Sequence, residues 1–401
     1  THSLQAYFGR QLSRAQAEDL VQETFITALQ EWQQKGVPDK PRNWLYRVCK
    51  HKSLNALRQN PHRYHTEVGP APTALEAQRP ETLYLDHEIS DSQLRLLFAC
   101  CAPALAPKGQ LILTLKQVSG LKTQEIAHSL GMRAAAVEKA LQRSKGVLQR
   151  QKQGLQVPFA ETARPRLEVV QLVLYLMYSE GYSASSGADQ IKKELCLEAM
   201  RLSRALLDIP ALACAGSEAL FALMLLHTAR FGARSSSAGA ITELEFQDRS
   251  LWDRDLIHLG IVYLNRAAAK ATPNRYLLEA AIAAQHCLAP TFTATNWSLI
   301  RGLYQRLEAV HPSPFVRLNG CIALLYAQGP QAALASLEEL ATHTYLKHNH
   351  LLQLGLAKSW QLLGDTEKAR VHYQQALAAT AIAAEKEFIS RKILELERIK
   401  A

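Results

Sequence analysis

Three stretches of the sequence hold residues whose type and spacing can do chemistry, and it is the chemistry of gripping a polyanion or a protein surface. The first is Ile126-Ala127-His128-Ser129-Leu130-Gly131-Met132, followed by Val137 and Leu141. A small residue where two helices cross, a glycine for the tight turn and apolar residues that pin the second helix to the first are the spacing of a helix-turn-helix, whose second helix enters a DNA major groove. An ordinary αα-corner uses the same spacing. On the second helix Arg133, Lys139, Gln142, Arg143 and Lys145 can face outward, and Glu138 is the only acid from Ile126 to Lys152. Long cationic side chains reach phosphates, and Gln or Arg pair with base edges. The same residues could also serve as a plain solvated basic face. His128 reads as a surface residue of this motif rather than a metal ligand.

The second stretch runs from Lys40 to Thr66. It holds Lys40, Arg42, Arg47, Lys50, Lys52, Arg58 and Arg63, no Asp or Glu, and the interleaved aromatics Trp44 and Tyr46. Cations that follow a backbone and aromatics that stack on bases suit single-stranded or melting DNA, although Trp44 can equally be a core residue. The third stretch places Asp19, Gln22 and Glu23 at i, i+3 and i+4, on one helical face opposite most of the apolar stripe. An acidic face in a basic module can dock a protein surface rich in arginine; it can also be a solvated helix face.

These residues need elements to hold them. From Ala17 to Trp32, the apolar residues Leu20, Val21, Phe25, Ala28, Leu29 and Trp32 follow helical spacing. Gly36, Pro38 and Pro41 break that helix, and a second runs from about Arg42 to Arg58. Pro61, Pro70, Pro72 and Pro80 mark a linker between Asn60 and Asp91, and Gln153 to Pro165 form a further boundary behind the helix-turn-helix. From Arg166 onward the chain reads as helix after helix. Ala357, Trp360, Leu363, Gly364, Ala369, Tyr373 and Ala376 fit a tetratricopeptide repeat, and Ala323, Tyr326, Gly329 and Leu337 read as a degenerate copy.

Whole-chain properties agree. The 401 residues are 48% hydrophobic and 20% charged, which suits an all-α protein of several domains. Net charge is +10, but residues 1–154 carry 21 Lys and Arg against 13 Asp and Glu, leaving 25 against 23 behind them. A polyanion partner is therefore expected for the N-terminal third alone. The apolar run Val169 to Tyr178 is too short to span a bilayer, and Thr1 to Arg10 lack the pattern of a signal peptide, so a cytoplasmic protein without membrane contact is expected. Thr1 in place of an initiator Met points to a natural start upstream. Seven scattered cysteines without a C-x-x-C pair read as reduced core residues. With no phosphate-binding glycine loop, H-E-x-x-H or nucleophile elbow, neither a catalytic residue, a metal nor a cofactor is expected.

The three signals in this order resemble the sigma-70 superfamily in its extracytoplasmic-function (ECF) form. "AEDLVQETFITAL" (Ala17 to Leu29) is similar to the region 2 helix that grips core RNA polymerase, "KPRNWLYRVCKHKSLNALR" (Lys40 to Arg58) to the segment that melts and reads the minus-10 element, and "LRLLFACCAPALAPKGQLILTLKQVSGLKTQEIAHSLGM" leads into region 4, which reads the minus-35 element. "YSEGYSASSG", "ALMLLHTAR" and "FQDRSLWDRDLI" resemble the helical-repeat extension of one group of these factors. The resemblance implies region 2 at 1–60, a linker at 61–91, region 4 at 92–153 and a tetratricopeptide-like extension at 166–401. Core-polymerase binding then falls to Asp19, Gln22 and Glu23, minus-10 contacts to Arg42, Trp44, Arg47, Lys50, Asn55 and Arg58, and minus-35 contacts to Arg133, Lys139, Gln142, Arg143 and Lys145. The partners implied are core RNA polymerase, promoter DNA and a protein or peptide partner of the extension, which would control the sigma modules in cis.

Two departures bear on promoter affinity: Ala136 and Ala140 stand where the family commonly has Thr or Ser and an Arg, and the chain begins close to region 2, shortening its first helix. The rival reading is a stand-alone helix-turn-helix regulator whose helical repeats sense a ligand or partner.

Overall fold

The computed structural model describes residues 14–39, 41–59, 93–150, 163–185, 191–234, 242–270 and 273–400. The linker expected between Asn60 and Asp91 and most of the boundary expected behind the helix-turn-helix lie outside them. The described residues are helical and turn, without a strand. The chain divides into two compact units, residues 1–174 with 204–212, and residues 175–203 with 213–401.

The first unit opens with helices α1 (Arg14–Lys35) and α2 (Pro41–Gln59). Gly36, at φ +80°, ends α1 by donating its N–H to the Trp32 carbonyl at 3.0 Å. Pro41, which needs no N–H partner, starts α2. Leu20, Val21, Thr24 and Ala28 of α1 are buried, as are Tyr46 and Cys49 of α2. Phe25 and Leu29 depart from the expected stripe: they are 37% and 65% exposed, because 3.6-residue periodicity sweeps them past the narrow seam that one partner helix covers.

Residues 93–100 form α3, followed by α4 (Pro107–Gln117), α5 (Thr123–Ser129) and α6 (Ala134–Arg150). Leu96, Cys100, Leu105 and Leu113 share a core with the half-buried Val118, Leu141, Val147 and Leu148. The Gln110 side chain donates to the carbonyls of Ala102 and Leu105 at 2.8 and 3.1 Å, tying down the turn between α3 and α4. At the far end of this unit the 3-10 turn Arg164–Arg166 places Arg166 against α3, where its guanidinium donates to the Phe98 carbonyl at 2.9 Å.

Behind that turn come α7 (Leu167–Tyr182), α8 (Lys193–Leu207), α9 (Ala215–Thr228), the short α10 (Phe231–Arg234), α11 (Arg254–Lys270) and α12 (Arg275–Leu288). In the second unit α9 is apolar on nearly every side and is buried accordingly, with α11 and α12 packed on it. Gly260 lets α11 approach closely, since a Cβ there would lie 2.8 Å from the Leu226 side chain. The buried Glu218 of α9 is held by Lys270 at 2.9 Å and Arg266 at 3.4 Å.

Helical hairpins complete the unit: α13 (Trp297–Val310), α14 (Pro314–Gln328), α15 (Pro330–Ala341), α16 (His350–Leu362), α17 (Thr366–Ala379) and α18 (Ala383–Lys400). The repeat read from the sequence is the α16–α17 hairpin. Ala357, Ala369 and Ala376 are buried with Tyr373 between the helices, and Gly364 turns the chain at φ +84°. The degenerate copy is α14–α15, turned by Gly329 at φ +94°. All seven cysteines are free and six are buried. Among the described residues, no helix is long and apolar enough to cross a membrane.

Candidate nucleic-acid interface

The turn between α5 and α6 is built from backbone hydrogen bonds that the sequence dictates. Leu130 donates to the Ile126 carbonyl, Gly131 to His128 and Met132 to Ala127, at 3.1, 3.1 and 2.8 Å. Gly131 sits at φ +60°, a conformation that side chains with a Cβ disfavour. At the start of α5 the Glu125 carboxylate accepts the Lys122 N–H at 2.8 Å, satisfying one of the free donors at that helix end. Ile126, Ala127 and Val137 are buried at the crossing.

Packing against α4 then fixes how α6 is rotated. Val137, Leu141 and Ser144 form its inner stripe, and Ser144 reaches so close to Gly109 of α4 that a Cβ on Gly109 would lie 2.6 Å from its hydroxyl. Arg133, Lys139, Gln142, Arg143 and Lys145 are all exposed, with Lys139, Gln142 and Arg143 opposite that stripe. Among the described residues none of the four cations is paired with a carboxylate. His128 is exposed. The structure thus gathers Lys139, Gln142, Arg143 and Lys145 on α6, with Arg133 in the turn just before it and not on the helix as the sequence suggested, an arrangement that suits phosphate contacts and base readout. Ala136 is exposed as well, and Ala140 is half-buried; neither offers a polar group there.

In the α1–α2 pair, Asp19, Gln22 and Glu23 are exposed on one face of α1. Glu23 is not free: the Lys52 ammonium of α2 lies 3.6 Å from its carboxylate and donates to its carbonyl at 3.1 Å. Beside these polar residues the same helix exposes Phe25, Ile26 and Leu29. Sequence reading assigned two of these to the core and so missed that the face is mixed, acidic and apolar together. Such a surface suits docking on a protein more than contact with solvent.

On α2, Arg47 is exposed, whereas Trp44 is half-buried and packs edge-on against Trp32 at 5.4 Å between ring centres. Tyr46 is buried and so is not available to stack on a base. Burial raises the pKa of the Cys49 thiol, against a hydrogen bond with Thr24. Lys40 and the side chains of Arg42, Lys50, Asn55 and Arg58 lie outside the described residues.

Comparison with known proteins decides what this arrangement belongs to. A family model described as sigma-70 region 2 matches residues 4–63, and one described as sigma-70 region 4 matches residues 95–148. The chain belongs to the ECF-like sigma-70 factors. The extension of this sigma factor matches, over residues 166–268, a family of unknown function, DUF6596. An uncharacterized protein of Rhizobium meliloti (strain 1021) is 35% identical over 383 residues, covering 94% of this chain and 89% of that protein. The ECF RNA polymerase sigma factor SigG of Mycobacterium tuberculosis (strain CDC 1551 / Oshkosh) is 28% identical over 157 residues, 33% of this chain and 41% of that protein. The same factor from strain ATCC 25618 / H37Rv matches equally. No solved structure gives a significant match. As a sigma-70 factor the protein is a DNA-binding transcription-initiation factor and not an enzyme.

Proposed function

We propose that this sigma factor docks on core RNA polymerase through α1, reads and opens the minus-10 element through α2, and reads the minus-35 element through α6. Its extension, residues 166–401, regulates those steps in cis from within the cytoplasm and offers its helical hairpins to a protein or peptide partner. The docking face is Asp19, Gln22 and Glu23 together with Phe25, Ile26 and Leu29. Arg42, Trp44, Arg47, Lys50, Asn55 and Arg58 track the separating strands, and the exposed part of Trp44 is the aromatic surface left for a base. Arg133, Lys139, Gln142, Arg143 and Lys145 engage the minus-35 duplex. In this reading region 2 occupies 1–60, the linker 61–91 and region 4 92–153.

The observation that carries the reading is the cationic outer face of α6, exposed and without an acidic partner among the described residues, in a chain that also presents a mixed acidic and apolar face on α1. A stand-alone helix-turn-helix regulator would need the first and has no use for the second. Run-off transcription with purified core polymerase on selected promoter fragments tests it. Specific transcripts that depend on the factor are expected, and Arg47→Ala should reduce permanganate-reactive thymines around the minus-10 element more than it reduces binding. Promoter binding by the factor alone, with no transcript on adding core polymerase, would favour the regulator instead.

A further inference from the structure

Positive charge collects in the second unit, with Arg230 buried and Arg234 and Arg249 half-buried, and no acid among the described residues meets it. Arg230 follows α9, Arg234 ends α10, and Arg249 lies in the 3-10 turn Arg249–Leu251. Arg230 and Arg249 both approach the buried Trp252, their guanidinium carbons 5.3 and 4.4 Å from its ring centre. Arg234 stacks on Tyr182 at 3.6 Å, and the Tyr182 ring lies 4.7 Å from that of His227. Among the described residues none of the three arginines has a carboxylate partner. The acids nearest in sequence are engaged locally: Asp248 accepts from the backbone and hydroxyl of Ser250 at 2.9 and 2.7 Å, and Asp253 accepts the Leu256 N–H at 3.0 Å.

Two of the arginines have structural work. Arg249 donates to the carbonyls of His286 and Ala289 at 2.6 and 2.7 Å, capping the C-terminus of α12, and Arg234 donates to the Tyr182 carbonyl at 2.7 Å at the end of α7. Arg230 has none comparable. Its one side-chain acceptor among the described residues is the neutral Gln247 amide at 3.3 Å, although the residue is only 8% exposed. Around it the buried atoms without a hydrogen-bond partner among the described residues are Arg230 Nε, Arg249 Nη2, Trp252 Nε1, His227 Nδ1 and His286 Nδ1. Both histidines are pushed down to about 3, by burial first and by the neighbouring arginines next, so they are neutral at pH 7 and leave the positive charge uncompensated.

Buried polar groups are as a rule partnered, and buried charges paired. The arginine and indole nitrogens can only donate. A cation would add to the charge, an apolar molecule would leave the donors unmet, and water would meet the donors but not the charge. What remains is an acceptor carrying negative charge. Burial of Arg230 and Trp252 limits it to a small molecule, since a protein surface cannot reach them. We propose that Arg230, Arg249 and Trp252, with Arg234 adding charge, form a binding site for a small oxyanion of carboxylate or phosphate chemistry.

The test is titration calorimetry on the full-length chain with inorganic phosphate in one arm and succinate in the other, at constant ionic strength against chloride. Indole emission is followed in parallel, and Trp252→Phe assigns the signal. Saturable binding is expected in at least one arm, the stronger arm naming the chemistry, with a change in emission that Trp252→Phe removes. Arg230→Gln should weaken it at least tenfold. Should that variant fail to fold, Arg230→Lys, which keeps the charge but not the planar fork, should still weaken it several-fold. No saturable binding by the wild-type chain in either arm overturns the proposal, and so does binding that the folded Arg230 variants leave unchanged.

Discussion

At the scale of single residues, the cations of α6 and the acids of α1 differ in what they can contribute. Arg143 and Lys145 are exposed and free of carboxylate partners among the described residues, so replacing either with Ala removes the proposed phosphate contact without disturbing the core. Each replacement should weaken promoter binding and lower the magnitude of the slope of log K against log salt by about 0.9 per lost contact, read from anisotropy titrations across a salt series. An unchanged slope in both variants would remove these residues from the interface. On α1, Asp19→Ala combined with Glu23→Ala should weaken core-polymerase binding by about tenfold, some 1.4 kcal/mol, while helix content holds because Ala favours helix. Lys52 sharpens that test. Because its ammonium sits against Glu23, Lys52→Ala frees the carboxylate and should leave docking equal or stronger if Glu23 is the contact. A loss of docking equal to that of the double variant would mean that the Glu23–Lys52 pair positions the helix instead. The exposed residues of α6 were legible in the sequence because polar side chains at helical spacing have one place to go. Tyr46 was not, since an aromatic beside cations reads the same whether it is buried or offered to a base.

At the scale of elements, the helix-turn-helix and the C-terminal repeat were legible because both depend on small residues at fixed offsets. Gly131, Gly329 and Gly364 all adopt positive φ at the turns the sequence marked, and Ala357, Ala369 and Ala376 lie where two helices cross. Gly131→Val should therefore cost about 1–2 kcal/mol through left-handed backbone strain alone. It should lower the thermal midpoint and weaken minus-35 binding together, by calorimetry and by anisotropy on the same preparation. Full promoter affinity in the variant would show that the turn does not set the orientation of α6. The helices of the extension between α7 and α12 were harder to read, because α9 is apolar nearly all round and so has no stripe to point inward. The charges beside an aromatic in Asp248-Arg249-Ser250-Leu251-Trp252-Asp253 fit either an internal pin or a binding groove. The structure shows the pin in Arg249, whose guanidinium holds the end of α12, while Arg230 meets only the Gln247 amide among the described side chains. Charge next to a buried Trp cannot distinguish these roles in sequence, because what separates them is whether a carbonyl or a carboxylate arrives from an element far along the chain.

At the scale of the whole molecule, the question is what a helical extension does for the sigma-70 region 2 and region 4 modules joined to it by one chain. Covalent fusion holds the extension at an effective concentration in about the millimolar range, enough for a weak regulatory contact to be occupied without a separate protein. Deleting residues 166–401 should then change run-off transcription strongly in one direction. That deletion also removes Arg166, whose guanidinium is bonded to the Phe98 carbonyl in the first unit, so a change could reflect a loosened α3 rather than lost regulation. The point variant Arg166→Ala separates the two: it breaks that hydrogen bond and leaves the extension in place. If the extension regulates, the deletion moves transcription and Arg166→Ala moves it far less, with core binding measured alongside. If Arg166→Ala reproduces the whole effect of the deletion, the extension acts on transcription through its first turn as a brace for α3. Equal transcription and equal core binding by the deletion and the full-length chain would leave the extension without a role in initiation and make its hairpins a recruitment surface for another partner.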